Sequence, residues 1–502
     1  MKDRIFISII ARTHFIIHTY QRPWYMTRNS TPVQNSGMLP VMICLSLAAF
    51  MSTLDTIMVS VSLPTITKDL QATTALTSWI LIISMLVSSS FLMTFGSLGD
   101  KLGRRRVFLC GFAIFSLSSF LSGFAGDLRH LLVLRVLLGA GAGIVMALSP
   151  ALVATVIPPS VRGKAFGLIA ASASIALMIG PVIGGYITGH FSWNWIFFVN
   201  VPVGFAAIVL GFLFVPAHVP VVRTRFDYPA AFLLFLSLSG LLFCLSAGQM
   251  GGEYAGMVPF ILAGSLLLGV ALLWHERRTP SPMIPLRLFR KIPFTASVFA
   301  ALAMMTAYGG VLLIFPFFFE SVWMFTPEKA GSLLVAASAG LMAASILAGG
   351  LVDRIGCYKP AIIATLIAIT GSVIALFLGT IVVLLPAALG LFLFGAGSGG
   401  FYPPNISLVM KYAPAGDEGA VSGILMTMRM LGQAAGFALS GAVFGFFAGK
   451  ASGGVYRGPG TVNSDVLMPG FTAVFLVTVL LLAITLVLVF MAREGGEGAG
   501  SR

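Results

Sequence analysis

From Met38 onward, runs of about 20 apolar residues alternate with short polar turns, and at about 1.5 Å per residue each run can cross a bilayer as a helix. Fourteen such runs can be counted, at 39–63, 76–97, 107–126, 131–156, 163–189, 195–215, 228–247, 257–274, 294–319, 330–351, 360–379, 381–409, 419–447 and 468–491. The pattern predicts an all-α polytopic membrane protein. Residues 1–37 differ, mixing Lys2, Arg4, Arg12, Arg22 and Arg28 with apolar pieces too short to span. They lack the small-residue cleavage site of a signal peptide, and Met26 is an alternative start to Met1.

Composition agrees with the pattern, since 58% of the 502 residues are hydrophobic and 9% charged, a balance no soluble core of this length requires. The net charge of +14 would suit a nucleic-acid binder. Its Lys and Arg residues, however, sit in turns between apolar runs, where membrane topology explains them better. With the N-terminus inside, one side takes Lys101, Arg104, Arg105, Arg106, Arg162, Lys164, Arg223, Arg225, Arg277, Arg278, Arg287, Arg290, Lys291, Arg354 and Lys359, among others. The opposite side takes only Lys68, Arg129, Lys329, Lys450 and Arg457. A miscounted helix would flip every later loop and destroy this asymmetry. The expected arrangement is an even number of spans in the plasma membrane with both termini cytoplasmic.

The turn after the second span, Gly96 to Arg106, recurs after the tenth. Gly349-Gly350-Leu351-Val352-Asp353-Arg354-Ile355-Gly356 matches Gly96-Ser97-Leu98-Gly99-Asp100-Lys101-Leu102-Gly103 at the first and last glycines, the Leu, the Asp and the basic residue. Further on, Gly139 and Gly141 match Gly395 and Gly397, and Gly180 and Gly185 match Gly436 and Gly441. Two six-helix halves of the same orientation follow, as a parallel repeat with substrate bound between them. The spacing of the copies leaves room for two extra helices in the middle. The expected domains are an N-terminal cytoplasmic segment (1–37), a first half (38–216), two inserted helices (217–275), a cytoplasmic connector (276–293), a second half (294–492) and a cytoplasmic tail (493–502).

These motifs resemble those of the major facilitator superfamily, and within it the fourteen-helix drug:proton antiporters. Gly96, Gly99, Asp100, Gly103 and Arg104 look like motif A, and Gly349 to Lys359, with Asp353 and Arg354, like its weaker copy, Cys357 and Tyr358 standing where arginines would be. Leu134-Arg135 with Gly139 and Gly141 looks like motif B, with Leu138 in place of a frequent Gln. Gly167, then Gly180-Pro181-Val182-Ile183-Gly184-Gly185, looks like the antiporter motif C. Leu54-Asp55 to Leu63-Pro64, and Trp193-Asn194-Trp195 to Asn200-Val201-Pro202, resemble first- and sixth-helix signatures of the fourteen-helix branch. The resemblance implies the major facilitator fold, alternating access, and a proton-coupled exporter of hydrophobic or amphipathic, cationic drugs.

The residues themselves suggest roles. A carboxylate in mid-helix costs several kcal/mol unless neutral, paired or facing water, so Asp55 is the leading proton site, a structural hydrogen-bonded Asp being the alternative. Arg135 is a permanent cation within the fourth span and needs an anion. Asp55 is the one ionisable residue deep in the first half's helices, so a pair between them, loosened by protonation, is expected. The glycines and Pro181 of motif C bend a helix and permit close contact, either as a rocking interface or as plain packing. Motif A is expected to be a loop acting as a latch, with Asp100 and Arg104 bridging to the neighbouring half. Met58 and Ser62 share the Asp55 face and would line a cavity with Tyr308, Arg429 and Gln433. Glu320 is either a second carboxylate of that cavity or an interfacial residue reaching for water. The phenylalanines at 315 and 317–319 are an aromatic pocket or packing.

No phosphate-binding Gly-Lys-Ser/Thr motif is present, so ATP is not the energy source. The histidines and the cysteines Cys44, Cys110, Cys244 and Cys357 lack metal-ligand spacing, and no nucleophile–base pair stands out. No enzyme activity, cofactor or metal is expected. The expected partners are a small-molecule substrate, protons and lipid, and the chain is taken as a monomer. An exporter of one endogenous metabolite or antibiotic, and a transporter-like receptor, are the alternatives.

Overall fold

The computed structural model describes residues 35–216, 227–247, 256–279, 286–379, 381–413, 418–453 and 464–493. Of its two compact units, Met1–Leu39 and Pro40–Arg502, the first contributes only helical residues 35–39 to what is described, and everything below concerns the second. Met26, the turn bearing Arg223 and Arg225, and the tail from residue 494 lie outside the described residues.

All fourteen expected spans are helices long and apolar enough to cross a membrane, and no strand occurs among the described residues. They are α1 Asn35–Asp69, α2 Thr74–Leu102, α3 Arg104–Ser122, α4 Leu128–Val156, α5 Arg162–His190, α6 Trp195–Phe214 and α7 Tyr228–Ala247. The rest are α8 Val258–Arg278, α9 Ile292–Ser321, α10 Pro327–Ile355, α11 Tyr358–Leu376, α12 Leu384–Met410, α13 Glu418–Ala451 and α14 Ser464–Met491. Polar residues set their starts. Thr73 accepts the Leu76 N–H at 3.3 Å to cap α2, and Asp127 accepts the His130 N–H at 2.8 Å to cap α4. That backbone donor, with the neighbouring imidazole, holds the Asp127 carboxyl below its usual range.

The helices run further than their apolar cores, which corrects the expected loop at motif A. Gly96 and Gly99 lie inside α2, and the chain breaks only at Gly103, whose φ of 99° ends α2 and leads into α3. Gly356, with φ 77°, does the same between α10 and α11. A side chain at these two positions would be strained, whereas Gly99 serves a different need, because a Cβ there would strike the Leu148 side chain of α4.

The fold is that of two six-helix halves with two added helices. In the first half α4 packs on α2 and α3; in the second, α12 packs on α10 and α11, and α9 on α13 and α14. The added pair is joined by Ser237 Oγ donating to the Ser265 carbonyl at 2.9 Å. Helix α7 rests on both α2 and α13, with Phe91 and Phe235 ring centroids 5.5 Å apart and Lys101 Nζ 3.0 Å from the Tyr228 hydroxyl.

Successive spans alternate in direction, giving the bundle an arginine-rich end, at Gly103 and Gly356, and an opposite end, where α5 finishes and α10 begins. The halves meet tightly towards that opposite end. A Cβ at Gly185 would run into the Pro327 carbonyl, and one at Gly331 into the Pro181 carbonyl. Deeper in, Ser338 Oγ donates to the Leu177 carbonyl at 2.7 Å, and Ser60 Oγ of α1 to the Leu312 carbonyl of α9 at 2.6 Å. Towards the arginine-rich end this contact fades: Gly163, Gly167, Gly349 and Gly350 meet nothing within 4 Å. The seam is shut at one end and parted at the other.

Candidate functional site

The centre of the first half is a polar knot built by five helices. Arg135 Nη2 lies 2.7 Å from Asp55 Oδ2, and Arg135 Nη1 donates to Asp55 Oδ1 at 3.0 Å, so the expected pair is present and bidentate. Arg135 Nε donates to the Ile80 carbonyl at 2.9 Å and Nη2 to Ser84 Oγ at 3.2 Å. Only 1% of Arg135 and 2% of Asp55 is exposed. Such burial is tolerable because every charge has a partner, and removing one partner would cost about 3–5 kcal/mol.

Local sequence explains how the arginine reaches its acceptors. Gly139, one turn along α4, has no side chain to hold α2 away, and a Cβ there would stand 2.5 Å from the Ser84 carbonyl oxygen. Ser88 Oγ then donates to the Gly139 carbonyl at 2.7 Å. This close crossing brings Arg135 against Ile80 and Ser84, and so beside Asp55.

Asn200 completes the knot, and sequence reasoning did not assign it a role. Its Nδ2 donates to Asp55 Oδ1 at 3.0 Å and to Ser119 Oγ at 3.1 Å, and Ser119 Oγ donates to the Phe197 carbonyl at 2.8 Å. An Asn in an apolar span was itself a signal, since a buried amide must find partners. Nothing in the sequence pointed it at Asp55.

Asp55 is tied mechanically to the seam. Three residues on, the Met58 backbone is the surface on which Gly184 of α5 rests, a Cβ there lying 3.0 Å from Met58 Cα, while Gly180 rests on Ile57. Gly185 and Pro181 of the same helix meet α10. The motif C glycines thus lie between α1 and the other half, although Gly167 faces open space.

Met58 and Ser62 do not line a cavity, contrary to expectation. Both are fully buried, and Ser62 Oγ donates to the Met58 carbonyl at 2.8 Å and lies 2.6 Å from Thr188 Oγ1. The glycine surface of α5 occupies the face of α1 that was assigned to water. The phenylalanine run is packing, with Phe315, Phe317, Phe318 and Phe319 at most 3% exposed and Phe318 edge-on to Phe471 of α14 at 5.2 Å.

At motif A, Asp100 Oδ1 and Arg104 Nε are 2.7 Å apart, and Arg104 Nη1 donates to the Ala151 carbonyl of α4 at 3.2 Å. These contacts lie within the first half, where a bridge to the neighbouring half was expected. Arg104 starts the helix that follows Gly103 and so falls one turn from Asp100, the nearest anion. In the second copy Arg354 lines an otherwise apolar cavity of 600 Å³ bounded by α10, α11 and α12; Asp353 lies in α10, and its side chain is outside the described residues.

In the second half, Glu320 turns inward. Thr65 Oγ1 of α1 donates to its Oε2 at 3.4 Å, and its Oε1 is buried without a hydrogen-bond partner, so Glu320 is a contact between halves at the closed end. Arg429 is placed with its guanidinium 4.2 Å above the Tyr402 ring and its Nε buried with no hydrogen-bond partner. The Tyr402 hydroxyl touches Met305 Sδ, and Tyr308 stacks on Phe394 at 6.3 Å with 8° between planes. Gln433, one turn from Arg429, brings its backbone against Gly309 of α9. Tyr402 and Met305 were not foreseen, because only the α9–α12–α13 packing brings them to Arg429.

Comparison with known proteins agrees with this geometry. The model of the family described as the Major Facilitator Superfamily matches residues 45–437. The chain is 32% identical over 414 residues to the riboflavin transporter RibZ of Clostridioides difficile, covering 80% of this chain and 88% of RibZ. It is 30% identical to the multidrug resistance protein Stp of Mycobacterium tuberculosis, covering 82% and 76%. Among solved structures, a bacterial homologue of the human lysosomal transporter Spinster, inward-facing and unoccupied, superposes with a TM-score of 0.65 at 16% identity, covering 92% of this chain and 98% of that one.

Proposed function

Because the chain belongs to the major facilitator superfamily, we propose that it is a proton-coupled antiporter exporting hydrophobic or amphipathic organic compounds by alternating access of its two halves. The observation that carries this reading is the buried Asp55–Arg135–Asn200 knot, one turn from the α1 surface on which the seam helix α5 rests. Relatives named as multidrug resistance proteins, such as Stp, support the substrate breadth.

In this reading a proton on Asp55 cancels its charge and removes one acceptor from Arg135. The ion pair that fixes α1 is then lost, and α1 shifts against Gly180 and Gly184. Helix α5 carries the shift to α10 through Gly185 and Pro327. Because the knot is shut from solvent here, proton exchange belongs to the conformation in which the seam has parted at the other end. Asp100 and Arg104, held to Ala151, act as a latch by stiffening the arginine-rich end of α2 and α4. The arginine-rich end faces the cytoplasm of a cell with this protein in its plasma membrane, so the conformation described is open inward.

A second reading is favoured by a specific observation. Arg429 suits an exporter of one acidic endogenous compound, and a relative named for a single substrate, RibZ, is consistent with it. The test of coupling is lipophilic-dye uptake by inverted vesicles under an imposed pH gradient. Wild-type protein is expected to accumulate dye only while the gradient lasts, and accumulation indifferent to the gradient would contradict the proposal.

A further inference from the structure

The two arginines at mid-bundle are not alike: Arg135 is buried, while Arg429 is partly exposed. Arg135 spends its guanidinium on Asp55, Ser84 and the Ile80 carbonyl. Arg429 has no such set. Among the described residues no carboxylate oxygen comes within 4.0 Å of it, and its Nε is buried and unpartnered. Among the described residues it lies over the face of Tyr402, a neutral partner that stabilises a cation without neutralising it. A permanent cation placed about 16 Å into its helix, counted from Glu418 at about 1.5 Å per residue, needs water or an anion, and the partly exposed Arg429 is open to either.

Among the described residues, the carboxylates at mid-span and on α9 are engaged or distant. Both oxygens of Asp55 accept from Arg135. Glu320 lies about 22 Å along α9 from Met305, again at about 1.5 Å per residue. The arginine is left beside two partly exposed tyrosines, Tyr402 and Tyr308, with Met305 against the Tyr402 hydroxyl and Phe394 against the Tyr308 ring, both buried behind them. Gln433, also partly exposed, stands one turn further along α13.

From this arrangement we infer that Arg429, Tyr402, Tyr308 and Gln433 form the substrate subsite of the second half, and that it takes an amphipathic aromatic anion. The acidic group of the ligand binds the partly exposed Arg429 guanidinium. Its ring system lies along Tyr402 and Tyr308, and Gln433 offers an amide to a polar substituent. A lipophilic cation would meet the uncompensated charge of Arg429 and bind less well. The inference rests on the transporter reading above and narrows its substrate class to anions.

Equilibrium binding tests it without any gradient. Two dyes share a xanthene ring but differ in charge: fluorescein, a dianion at mildly alkaline pH, and tetramethylrhodamine methyl ester, a fixed cation. Fluorescence anisotropy on the purified full-length protein in nanodiscs should show fluorescein bound about tenfold or more tighter than the cation, the difference expected for a charge-assisted contact. Arg429→Gln should remove that preference, Arg429→Lys should keep part of it, and Arg429→Glu should reverse it. Equal binding of the two dyes, tighter binding of the cation, binding of neither, or a preference untouched by Arg429→Gln would each overturn the inference. The wild-type comparison stands even where a variant fails to fold. Selective fluorescein binding without proton-driven uptake would sink the coupling proposal while leaving this one intact.

Discussion

Asn200 of α6 and Arg135 of α4 donate to the same oxygen, Asp55 Oδ1, each at 3.0 Å. The carboxylate of α1 is therefore held by two other helices at once, and Ser119 of α3 is held by the same amide. A carboxylate so clasped fixes the position of α1, and loss of its charge would free it.

Replacing Asn200 by Ala takes a donor from both Asp55 and Ser119 while leaving the ion pair. A loss of about 1–3 kcal/mol in stability is expected, visible as a lower unfolding temperature in detergent, with transport reduced several-fold. An Asn200→Ala protein as stable and as active as wild type would show that the amide only fills space.

Gly185→Ala tests the closed end of the seam. Its new methyl would strike the Pro327 carbonyl, a backbone atom that cannot swing aside, whereas a Cβ at Gly167 would meet nothing within 4 Å. Distances between spin labels at the ends of α5 and α10 near Gly185 should lengthen for Gly185→Ala and stay put for Gly167→Ala. Identical distributions for both would argue against a tight seam.

The reach of sequence differs sharply between the fold and the site. Fourteen spans and the repeated turn were legible because hydrophobic runs and their charged punctuation are local properties. The Asp55–Arg135 pair was legible too, by the scarcity of ions in the first half. Asn200 and Tyr402 were not assigned, since which polar groups meet depends on how close helices cross, and a single glycine such as Gly139 decides that. Met58 and Ser62 were misplaced for the same reason: helical periodicity shows that they share a face with Asp55, and only packing shows that α5 covers it. Motif A was mistaken for a loop because glycine signals both turns and close contacts, and here Gly103 serves the first and Gly99 the second.

At motif A, Asp100→Asn keeps the shape but discharges the partner of Arg104. Transport should fall and the balance between the two conformations should shift, as read by the same spin-label distances. Unchanged transport and populations would leave this segment with no role beyond orienting the chain.

Glu320→Gln should be tolerated or stabilising by up to about 2 kcal/mol, because it removes a carboxylate whose Oε1 is buried without a partner while Thr65 can still donate to the amide oxygen. Thermal unfolding in detergent would check this. A marked loss of stability would mean that the charged carboxylate, and not its shape, joins α1 to α9.

The most direct test of proton coupling runs the cycle backwards, with purified protein in liposomes loaded with dye and an internal pH indicator. A dye gradient imposed on wild-type protein is predicted to drive protons across the membrane. In Asp55→Asn liposomes the dye should still bind and the internal pH should stay flat. An equal pH change with Asp55→Asn would contradict the assignment of Asp55 as the proton site.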